Sequence, residues 1–417
     1  MSGVSDGRVG SRGPLAGTRI LDYGQYVAVP FGTMLLADLG ADVIKVEPPT
    51  GDQWRHYEPF APGESRYFYA LNRNKRSVAL DLKTEDGRAK SLELIRTADA
   101  LVHNCLPVRA KRFGLDRETV NEINPRCVWV SISAFGSEGP DAQRPAYDLI
   151  AQALSGLLMA DTRSDDAVPR RMGGLAVADF TCGLLAAIAV LAGLSARANG
   201  RSHGIEVSLL GAALAVQAQR FVSVEAMDRP TRAERLEQGP PFATPEELAS
   251  LADRVARLDE LEPYYRTYRC ADGFLALACL NTRHRLEVCA ALGLEDPWAA
   301  NPQAAPEDEE ERQKRLAHVR EIEDVFAARP VAEWVDAFGG RGVPASEVRF
   351  LDLLYEDEQV EANGLVQTVT QPAVGDVRLL GNVFKVDGLA APAARGAPGL
   401  GEHARELLEA EATEAAP

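Results

Sequence analysis

The chain has 417 residues, of which 46% are hydrophobic and 25% charged, and its formal net charge is −16. This composition is typical of a soluble globular protein, and the length predicts two or three structural units rather than one. The negative charge argues against a nucleic-acid-binding protein and against attraction to anionic membranes, so neither is expected as a partner.

The N-terminus and the cysteines both indicate a cytoplasmic protein. The opening letters, MSGVSDGRVGSRGPLAG, contain no apolar stretch of the kind a signal peptide needs, so we expect residues 1–15 to be a disordered leader. The six cysteines form no CxxC pairs and have no histidine cluster near them. They favour buried reduced thiols, and they predict neither a disulfide framework nor a metal site.

Strand-like and helix-like segments alternate from Thr18 onward. This alternation predicts parallel βαβ units and an α/β fold with a Rossmann-like sheet covered on both faces. The first turn, DYGQYVAVP, lacks GxGxxG, and no P-loop motif occurs, so neither nucleotide fingerprint is present. The predicted strands are TRILDYG (18–24), ADVIKVEPP (41–49), SVALDLK (77–83), ADALVHNC (98–105) and RCVWVSIS (126–133), with helices at 30–40 and 84–98.

The second half of the chain changes in character. Helices are expected at 145–160 and 180–199, and residues 203–221 suit a strand running into a helix. The polar, charged and proline-containing segment 228–254 indicates a linker or domain boundary. Beyond it, YRTYRCADGFLALACL (265–280) predicts a hairpin, segments 342–350, 362–370 and 376–386 are strand-like, and the tail 398–412 ends in a helix.

One carboxylate, Asp179, stands in the apolar run RMGGLAVADFTCGLLAAIAVLAGL (171–194). Its spacing fits the N-cap of a helix that begins at residue 180. It also fits a nucleophile that attacks a thioester and forms a mixed anhydride, an exchange that needs neither metal nor ATP. No histidine occurs between residues 104 and 202, which counts against a histidine-dependent mechanism centred here.

Two basic clusters interrupt the acidic chain. NRNKRSVALDLK (72–83) and PVRAKRFG (107–114) both follow or precede predicted strands. Each cluster fits ordinary surface charge, and each also fits a site for a phosphorylated ligand, because open α/β sheets bind ligands at their strand ends.

Five stretches carry a resemblance to a known family. They are LADLGADVIKVEPPTGD, LNRNKRSVALDLKTEDGRA, NPRCVWVSISAFGSEGP, YDLIAQALSGL and LGEHARELL. In this order they resemble the family III CoA-transferases, which include formyl-CoA and carnitine CoA-transferases and the α-methylacyl-CoA racemases. The similarity runs from about residue 15 to residue 410 and is loose between 225 and 335.

The resemblance implies a large Rossmann-like CoA-binding domain from residues 16–225 plus 335–417. A smaller α+β domain, residues 226–334 with linkers, is inserted between these two parts. The resemblance also implies a homodimer of two interlocked rings. Coenzyme A thioesters and carboxylic acids would be substrates, with no permanently bound cofactor.

The resemblance also assigns the site residues. Asp179, in VADFTCG, matches the aspartate that carries the covalent acyl and CoA intermediates. The chain departs from the family where HNCL replaces an ENF-type motif, and Pro48 stands where some relatives have Arg. No glycine-rich loop is evident between 225 and 265, where QGPPF (238–242) comes nearest. The positions implied to bind CoA are Val27, Ala28, Leu80, Lys83, Asn104, Cys105, Leu106, Arg112 and Tyr147.

The resemblance leaves two activities open. The racemases move an α-proton and need a second base, a histidine at the start of the motif that reads AYDLIAQALSG here. Tyr147 stands at that position, and a tyrosine with an ordinary pKa of about 10 is a poor base near neutral pH. The sequence therefore favours a CoA-transferase, with a 2-methylacyl-CoA racemase or epimerase as the alternative. A catalytically silent CoA-binding protein would leave Asp179 unexplained.

Overall fold

A computed structural model describes residues 13–161, 168–170, 172–197, 203–239, 242–250, 260–302, 304–390 and 395–414. The chain divides into two compact units. The larger comprises Met1–Ala160, Arg171–Arg229 and Tyr355–Pro417, and the smaller comprises Asp161–Arg170 and Pro230–Leu354. The domain boundaries at residues 225 and 335 stay a prediction. Residues 1–12 of the predicted leader lie outside the described residues, whereas Leu15 packs against the core.

The larger unit is built on one parallel sheet of six strands. Each neighbouring pair runs parallel, which confirms the predicted α/β fold. The strands are β1 (Arg19–Tyr23), β2 (Asp42–Glu47), β3 (Arg76–Ala79), β4 (Ala100–His103), β5 (Val128–Ser133) and β6 (Gly204–Ser208), in the spatial order β3-β2-β1-β4-β5-β6.

Helices cover both faces of this sheet. In β1, Ile20 and Leu21 point to opposite faces because side chains alternate along a strand, and they belong to two separate apolar clusters. The helices are α1 (Ala28–Asp38), α2 (Arg66–Asn72), α3 (Glu85–Thr97), α4 (Pro107–Phe113), α5 (Arg117–Ile123), α6 (Asp148–Leu154), α7 (Val177–Arg197) and α8 (Leu209–Ala215). Short 3-10 turns lie at Gln53–Arg55, Leu157–Asp161 and Met172–Gly174.

The strand order reverses beside β1, which defines where a ligand would bind. The chain runs outward from β1 to β3, then returns to β4 on the other side of β1. Asn104, just after β4, exchanges two hydrogen bonds with Gln25, just after β1: its Nδ2 donates to the Gln25 carbonyl at 3.0 Å and its Oδ1 accepts from the Gln25 N–H at 3.3 Å. These loops therefore meet at the switch point, where open α/β sheets form their ligand crevice.

The apolar helix α7 lies in the core of the larger unit. It is the one described helix that is long and apolar enough to cross a membrane by length and composition, a test that core helices also pass. Its buried residues pack with those of α1, β4 and β5 in one cluster. The helix begins at Val177 rather than at residue 180, so the predicted start is wrong by three residues.

The C-terminal part of the larger unit returns to the sheet. Its helix, Ala404–Glu414, packs Leu407 against the same cluster as β3, and the His403 N–H donates to the Ser77 carbonyl at 2.9 Å. The remaining elements are the 3-10 helix Leu351–Glu356, which crosses the division between the units, the helix Glu358–Ala362, the strand pair Val366–Gln371 and Gly375–Leu380, and the short pair Lys385–Val386 and Leu389–Ala390.

The smaller unit has its own sheet and core. Tyr265–Arg269 and Phe274–Ala278 form the predicted hairpin, and Ala345–Glu347 adds a third antiparallel strand. Trp334 and Phe338 are fully buried in its core. Its helices are Thr282–Leu292, Glu309–Ala327 and Val331–Gly339. Helix Glu225–Gln238 leads into the unit, and its Glu and Arg residues favour helix. The division between the units at Arg229–Pro230 falls inside the segment 228–254 that the sequence indicates as a linker or domain boundary.

Candidate active site

Asp179 lies in the first turn of α7, not at its cap. The Phe180 N–H donates to the Ala176 carbonyl at 2.9 Å, which closes the first turn before Asp179 could cap it. The cap is supplied from another helix: Asp148 Oδ1 accepts from the N–H groups of Ala178 at 2.8 Å and Asp179 at 3.2 Å. The sequence interpretation of Asp179 as an N-cap is therefore wrong, since Asp148 holds that role across 30 residues of chain.

The surroundings of Asp179 make its carboxylate unusually basic. Burial raises its pKa from 3.8 to about 7, and the nearby charge of Asp148 adds to the effect. A carboxylate with a pKa near neutrality is a better nucleophile than an ordinary surface aspartate. The nearby Cys182 stays protonated because burial, with a smaller effect from Asp179, raises its pKa to about 12.

Two glycines bring the start of α1 against α7. A Cβ on Gly32 would lie 2.4 Å from the Gly183 carbonyl oxygen, and a Cβ on Gly183 would lie 2.7 Å from the Ala28 carbonyl oxygen. Gly183 is one helical turn beyond Asp179. The predicted residues Val27 and Ala28 are therefore brought to the same end of α7 as the carboxylate, because no side chain separates the two backbones.

Buried charged side chains form hydrogen bonds to the backbone of the loop between β1 and α1. Lys45 Nζ donates to the Gly24 carbonyl at 2.9 Å and lies 2.8 Å from an oxygen of Asp52. Asp52 in turn accepts from the Tyr26 N–H at 3.2 Å, where Tyr26 has a φ of 66°. A non-glycine residue with such a φ persists only when its surroundings enforce it. The sequence did not indicate this network, because its members come from three separate loops and strands.

The predicted CoA-binding residues at the strand ends differ in burial. Leu80 is buried in one apolar cluster, against which Cys105 packs. Burial raises the pKa of the Cys105 thiol to about 11, so this thiol is not a nucleophile. Leu106 is the N-cap position of α4. Lys83 and Arg112 are exposed, so their charges are open to a ligand.

Of the four basic residues in the first cluster, only Lys83 is exposed to a ligand. Its first three members are buried and bind acidic side chains of the same unit, so the proposed phosphate role and the surface role are both wrong for them. The acidic partners lie 34 to 53 residues away in sequence, which is why spacing did not reveal the pairs. The pairs are Arg73 with Asp38 at 2.5 Å, Lys75 with Asp22 at 2.8 Å, and Arg76 with Asp42.

The second basic cluster keeps its charge on the surface. Arg109, Lys111 and Arg112 of α4 are all exposed. Together with Lys83, they leave basic side chains at the carboxyl ends of β3 and β4. The sequence interpretation as a site for an anionic ligand therefore remains open for this cluster and for Lys83.

Tyr147 lies beside the residue that caps α7. It is 63% exposed, and its hydroxyl is 3.4 Å from that of Tyr26. The hydrogen bond to Tyr147, with burial, raises the pKa of Tyr26 to about 12. Tyr26 also packs edge-on against Trp54, with ring centroids 5.4 Å apart. These aromatic side chains form a wall on the β1 loop that the sequence analysis missed.

Among the described residues, no group of three or more His, Cys, Asp or Glu side chains is placed to hold a metal ion. All six cysteines are free thiols, and all except Cys105 are buried. A surface depression runs along helix Glu309–Ala327 of the smaller unit, and none of the predicted site residues lines it.

The parallel sheet, its reversed strand order and the loops that meet beside β1 define an α/β protein of the kind that binds its ligand at the carboxyl ends of the strands. The model of CoA-transferase family III matches residues 15–404, and the chain belongs to that family.

Known proteins similar to the chain carry related activities. Succinyl-CoA:glutarate CoA-transferase of Mus musculus is 33% identical over 95% of this chain and 86% of its own length. Acetyl-CoA:oxalate CoA-transferase of Acetobacter aceti is 32% identical over 95% of each chain. Among solved structures, a CAIB/BAIF family protein from Brucella suis has a TM-score of 0.74 at 26% identity, covering 96% of this chain and 99% of its own. The protein is therefore an enzyme of the CoA-transferase type.

Proposed function

We propose that the protein transfers CoA from an acyl-CoA donor to a carboxylic acid through covalent intermediates on Asp179. The observation that carries this proposal is the position of Asp179: a partly buried carboxylate with a pKa of about 7, on the turn of α7 that meets the N-terminus of α1. Membership in CoA-transferase family III supports the transfer chemistry.

The exchange has two halves. A carboxylate oxygen of Asp179 attacks the thioester carbonyl of the donor, the C–S bond breaks, and CoA thiolate leaves a mixed anhydride. The thiolate then attacks the aspartyl carbonyl, the C–O bond breaks, and the donor acid departs as a carboxylate. An acceptor carboxylate repeats these steps in reverse and restores Asp179. No net proton is consumed, and the thioester energy is conserved.

The oxyanions of these steps need hydrogen-bond donors. The N-terminus of α1 has no side-chain cap at Val27, so backbone N–H groups at Val27 and Ala28 are candidates, as are those near Gly136 and Gly139. The rest of the CoA molecule would lie along the strand ends. There Leu80, Asn104, Cys105, Leu106 and Tyr147 would contact it, while Lys83 and Arg112 would bind its phosphates.

Dicarboxylic acids are the proposed substrate class. The similar proteins are named for CoA exchange between succinate and glutarate, between acetate and oxalate, and between succinate and mesaconate. Each name contains at least one dicarboxylic acid. Succinyl-CoA is therefore the first donor to test, with glutarate, oxalate and mesaconate as acceptors.

A second copy of the chain completes the proposed assembly. Helix α7 exposes Phe180, Leu184, Ile188 and Leu191 along one side, with Ile188 59% exposed. This apolar stripe supports the interlocked homodimer that the family resemblance implies. Light scattering after size exclusion tests it, and a monomeric mass would contradict it. The two-domain division and a cytoplasmic location belong to the same proposal.

The racemase alternative finds little support at Tyr147. Its hydroxyl pairs with the Tyr26 hydroxyl and not with a group that would make it a base. Racemisation would carry solvent deuterium to the α-carbon of a 2-methylacyl-CoA without any acceptor acid. The transfer proposal expects no such exchange.

Mass spectrometry tests the covalent step directly. After incubation with succinyl-CoA, a CoA adduct or a hydroxylamine product is expected on the peptide that contains Asp179. Asp179→Asn, which keeps the size of the side chain, is expected to form no adduct and to lose at least a thousandfold in transfer rate, the order expected when a nucleophile is removed. Full transfer activity in Asp179→Ala would contradict the covalent mechanism on Asp179.

A further inference from the structure

Both carboxylate oxygens of Asp148 accept hydrogen bonds from within the protein. Oδ1 accepts from the Ala178 and Asp179 N–H groups, and Oδ2 accepts from Gln152 Nε2 at 2.5 Å. Asp148 is 9% exposed and Gln152 is fully buried. The first N–H groups of an α-helix have no partner within the helix, so Asp148 supplies what α7 lacks.

Gln152 fixes the chain that leads into α7. Its Nε2 also donates to the Leu175 carbonyl at 3.2 Å, and its Oε1 accepts from the Met172 N–H at 3.2 Å. One buried amide therefore holds Asp148 and both ends of the turn before the helix. Because Asp148 and Gln152 are one turn apart on α6, both act from the same rigid element.

We propose that Asp148 is a positioning residue for Asp179, held in place by Gln152. Asp148 fixes the first turn of α7 and places a negative charge that opposes the positive field of the helix N-terminus at Asp179. The proposal rests on the proposed nucleophilic role of Asp179. A helix N-terminus by itself favours an ionised, weakly basic carboxylate, whereas the charge of Asp148 keeps the nucleophile basic.

The charge of Asp148 stands out among the side chains around Asp179. It lies on α6, while α8 and β5 contain no titratable side chain in their described sequences. The other titratable side chains on the elements packed against α7 are neutral, paired or exposed. They are Asp38 of α1 paired with Arg73, His103 of β4 with a pKa that burial lowers to about 4, and the exposed Glu206 of β6. On α7 itself, Cys182 is a neutral thiol and Arg197 in the last turn pairs with Asp99.

The decisive variant is Asp148→Asn. The asparagine keeps an oxygen that can accept from the α7 N–H groups, but it carries no charge. Asp116→Asn is the matched control, because Asp116 also caps a helix of the same unit, accepting from the Thr119 N–H at 3.2 Å. Both variants are compared with the wild type by the pH dependence of adduct formation with succinyl-CoA in a single turnover.

The expected result is a shift to lower pH. The acidic limb of adduct formation moves down by about one pH unit or more in Asp148→Asn and stays in place in Asp116→Asn. An adduct on Asp179 with an unshifted limb in Asp148→Asn overturns the proposal. If Asp148→Asn does not fold, Gln152→Leu, which frees Asp148 but leaves its charge, is expected to slow adduct formation at every pH; a wild-type rate would overturn the proposal.

The carboxyl ¹³C signal of Asp179, assigned with Asp179→Asn, gives a test without substrate. Its titration midpoint is expected to fall in Asp148→Asn by the same amount, and an unchanged midpoint contradicts the positioning role. This measurement separates the two proposals. Absence of any adduct in the wild type removes the nucleophilic role of Asp179, whereas the titration still decides what Asp148 does to it.

Discussion

Gly32 and Gly183 meet backbone to backbone where α1 crosses α7, and neither position has room for a methyl group. The carbonyl oxygen of Gly183 lies 2.4 Å from the position of a Cβ on Gly32. The contact sets the distance between the β1 loop and Asp179. It also explains why α7 is rich in small residues on its buried side, namely Ala178, Gly183, Ala186 and Ala187.

Gly183→Ala is expected to reduce activity more than stability. The new methyl group would lie 2.7 Å from the Ala28 carbonyl oxygen, so α1 must move away from α7. Overpacking of this kind costs about 1–3 kcal/mol, which lowers the Tm by a few degrees. The displaced α1 N-terminus is expected to reduce kcat at least tenfold. Steady-state transfer assays and thermal unfolding measure the two effects.

Gly339→Ala is the control for that substitution. Gly339 ends a helix of the smaller unit, has no positive φ, and nothing lies within 4 Å of a Cβ placed there. Activity and Tm close to wild type are expected. Wild-type kcat in Gly183→Ala would show that the α1–α7 contact does not govern the site.

Lys83 and Arg112 are expected to bind the nucleotide end of CoA. Replacing either with Ala should raise KM for succinyl-CoA about tenfold, in line with a charge-assisted hydrogen bond worth about 1.5–3 kcal/mol. KM for succinyl-pantetheine, which lacks the nucleotide, should not change. The assay compares the two thioesters in each variant.

Lys90→Ala provides the matched control for these two residues. Lys90 is a partly exposed lysine of α3 that pairs with Asp86 at 2.7 Å in an i,i+4 arrangement. Such a pair contributes little, and KM for both thioesters should stay at wild-type values. An equal rise with both thioesters in the Lys83 and Arg112 variants would place their effect elsewhere than at the nucleotide.

The sequence reveals what is local and misses what is brought together by folding. The strands around Leu21 and Leu101 were predictable because short apolar runs end at turn residues. The roles of Lys75 and Asp148 were not, because their partners lie 53 and 30 residues away and only the sheet and the α6–α7 contact unite them. Asp179 itself was found through the order of motifs, since spacing alone favoured a cap.

The buried pair of Lys75 and Asp22 is expected to be needed for folding rather than for binding. Both side chains are fully buried, and although burial alone would raise the pKa of Asp22, Lys45 and Lys75 lower it to about 2. Lys75→Met leaves Asp22 without that partner, and breaking a buried ion pair costs about 3–5 kcal/mol. A large fall in Tm is expected. A soluble variant with wild-type Tm would contradict this role.

The Asp22→Asn, Lys75→Met double variant sharpens that test. With both charges removed, the Tm should recover part of the loss, because no isolated charge is left buried. A double variant less stable than Lys75→Met alone would show that the Asp22 carboxylate contributes more to stability through its other partners than through Lys75. Thr33, whose hydroxyl donates to Asp22 at 2.7 Å, would be the first to examine.

The raised pKa of Asp179 also predicts how stability depends on pH. Between about pH 4 and pH 7 the folded protein binds the proton of Asp179 more tightly than the unfolded chain does, so stability falls as pH rises through this range. Asp179→Asn has no such proton to lose. The variant should match the wild type in free energy of unfolding below pH 4 and exceed it above pH 7, by up to about 4 kcal/mol at about 1.4 kcal/mol per pKa unit. Thermal unfolding of both proteins across this range measures the difference. If the two proteins show the same dependence of stability on pH, the environment of Asp179 does not disfavour its charge. The proposal that Asp179 is an unusually basic nucleophile would then be contradicted.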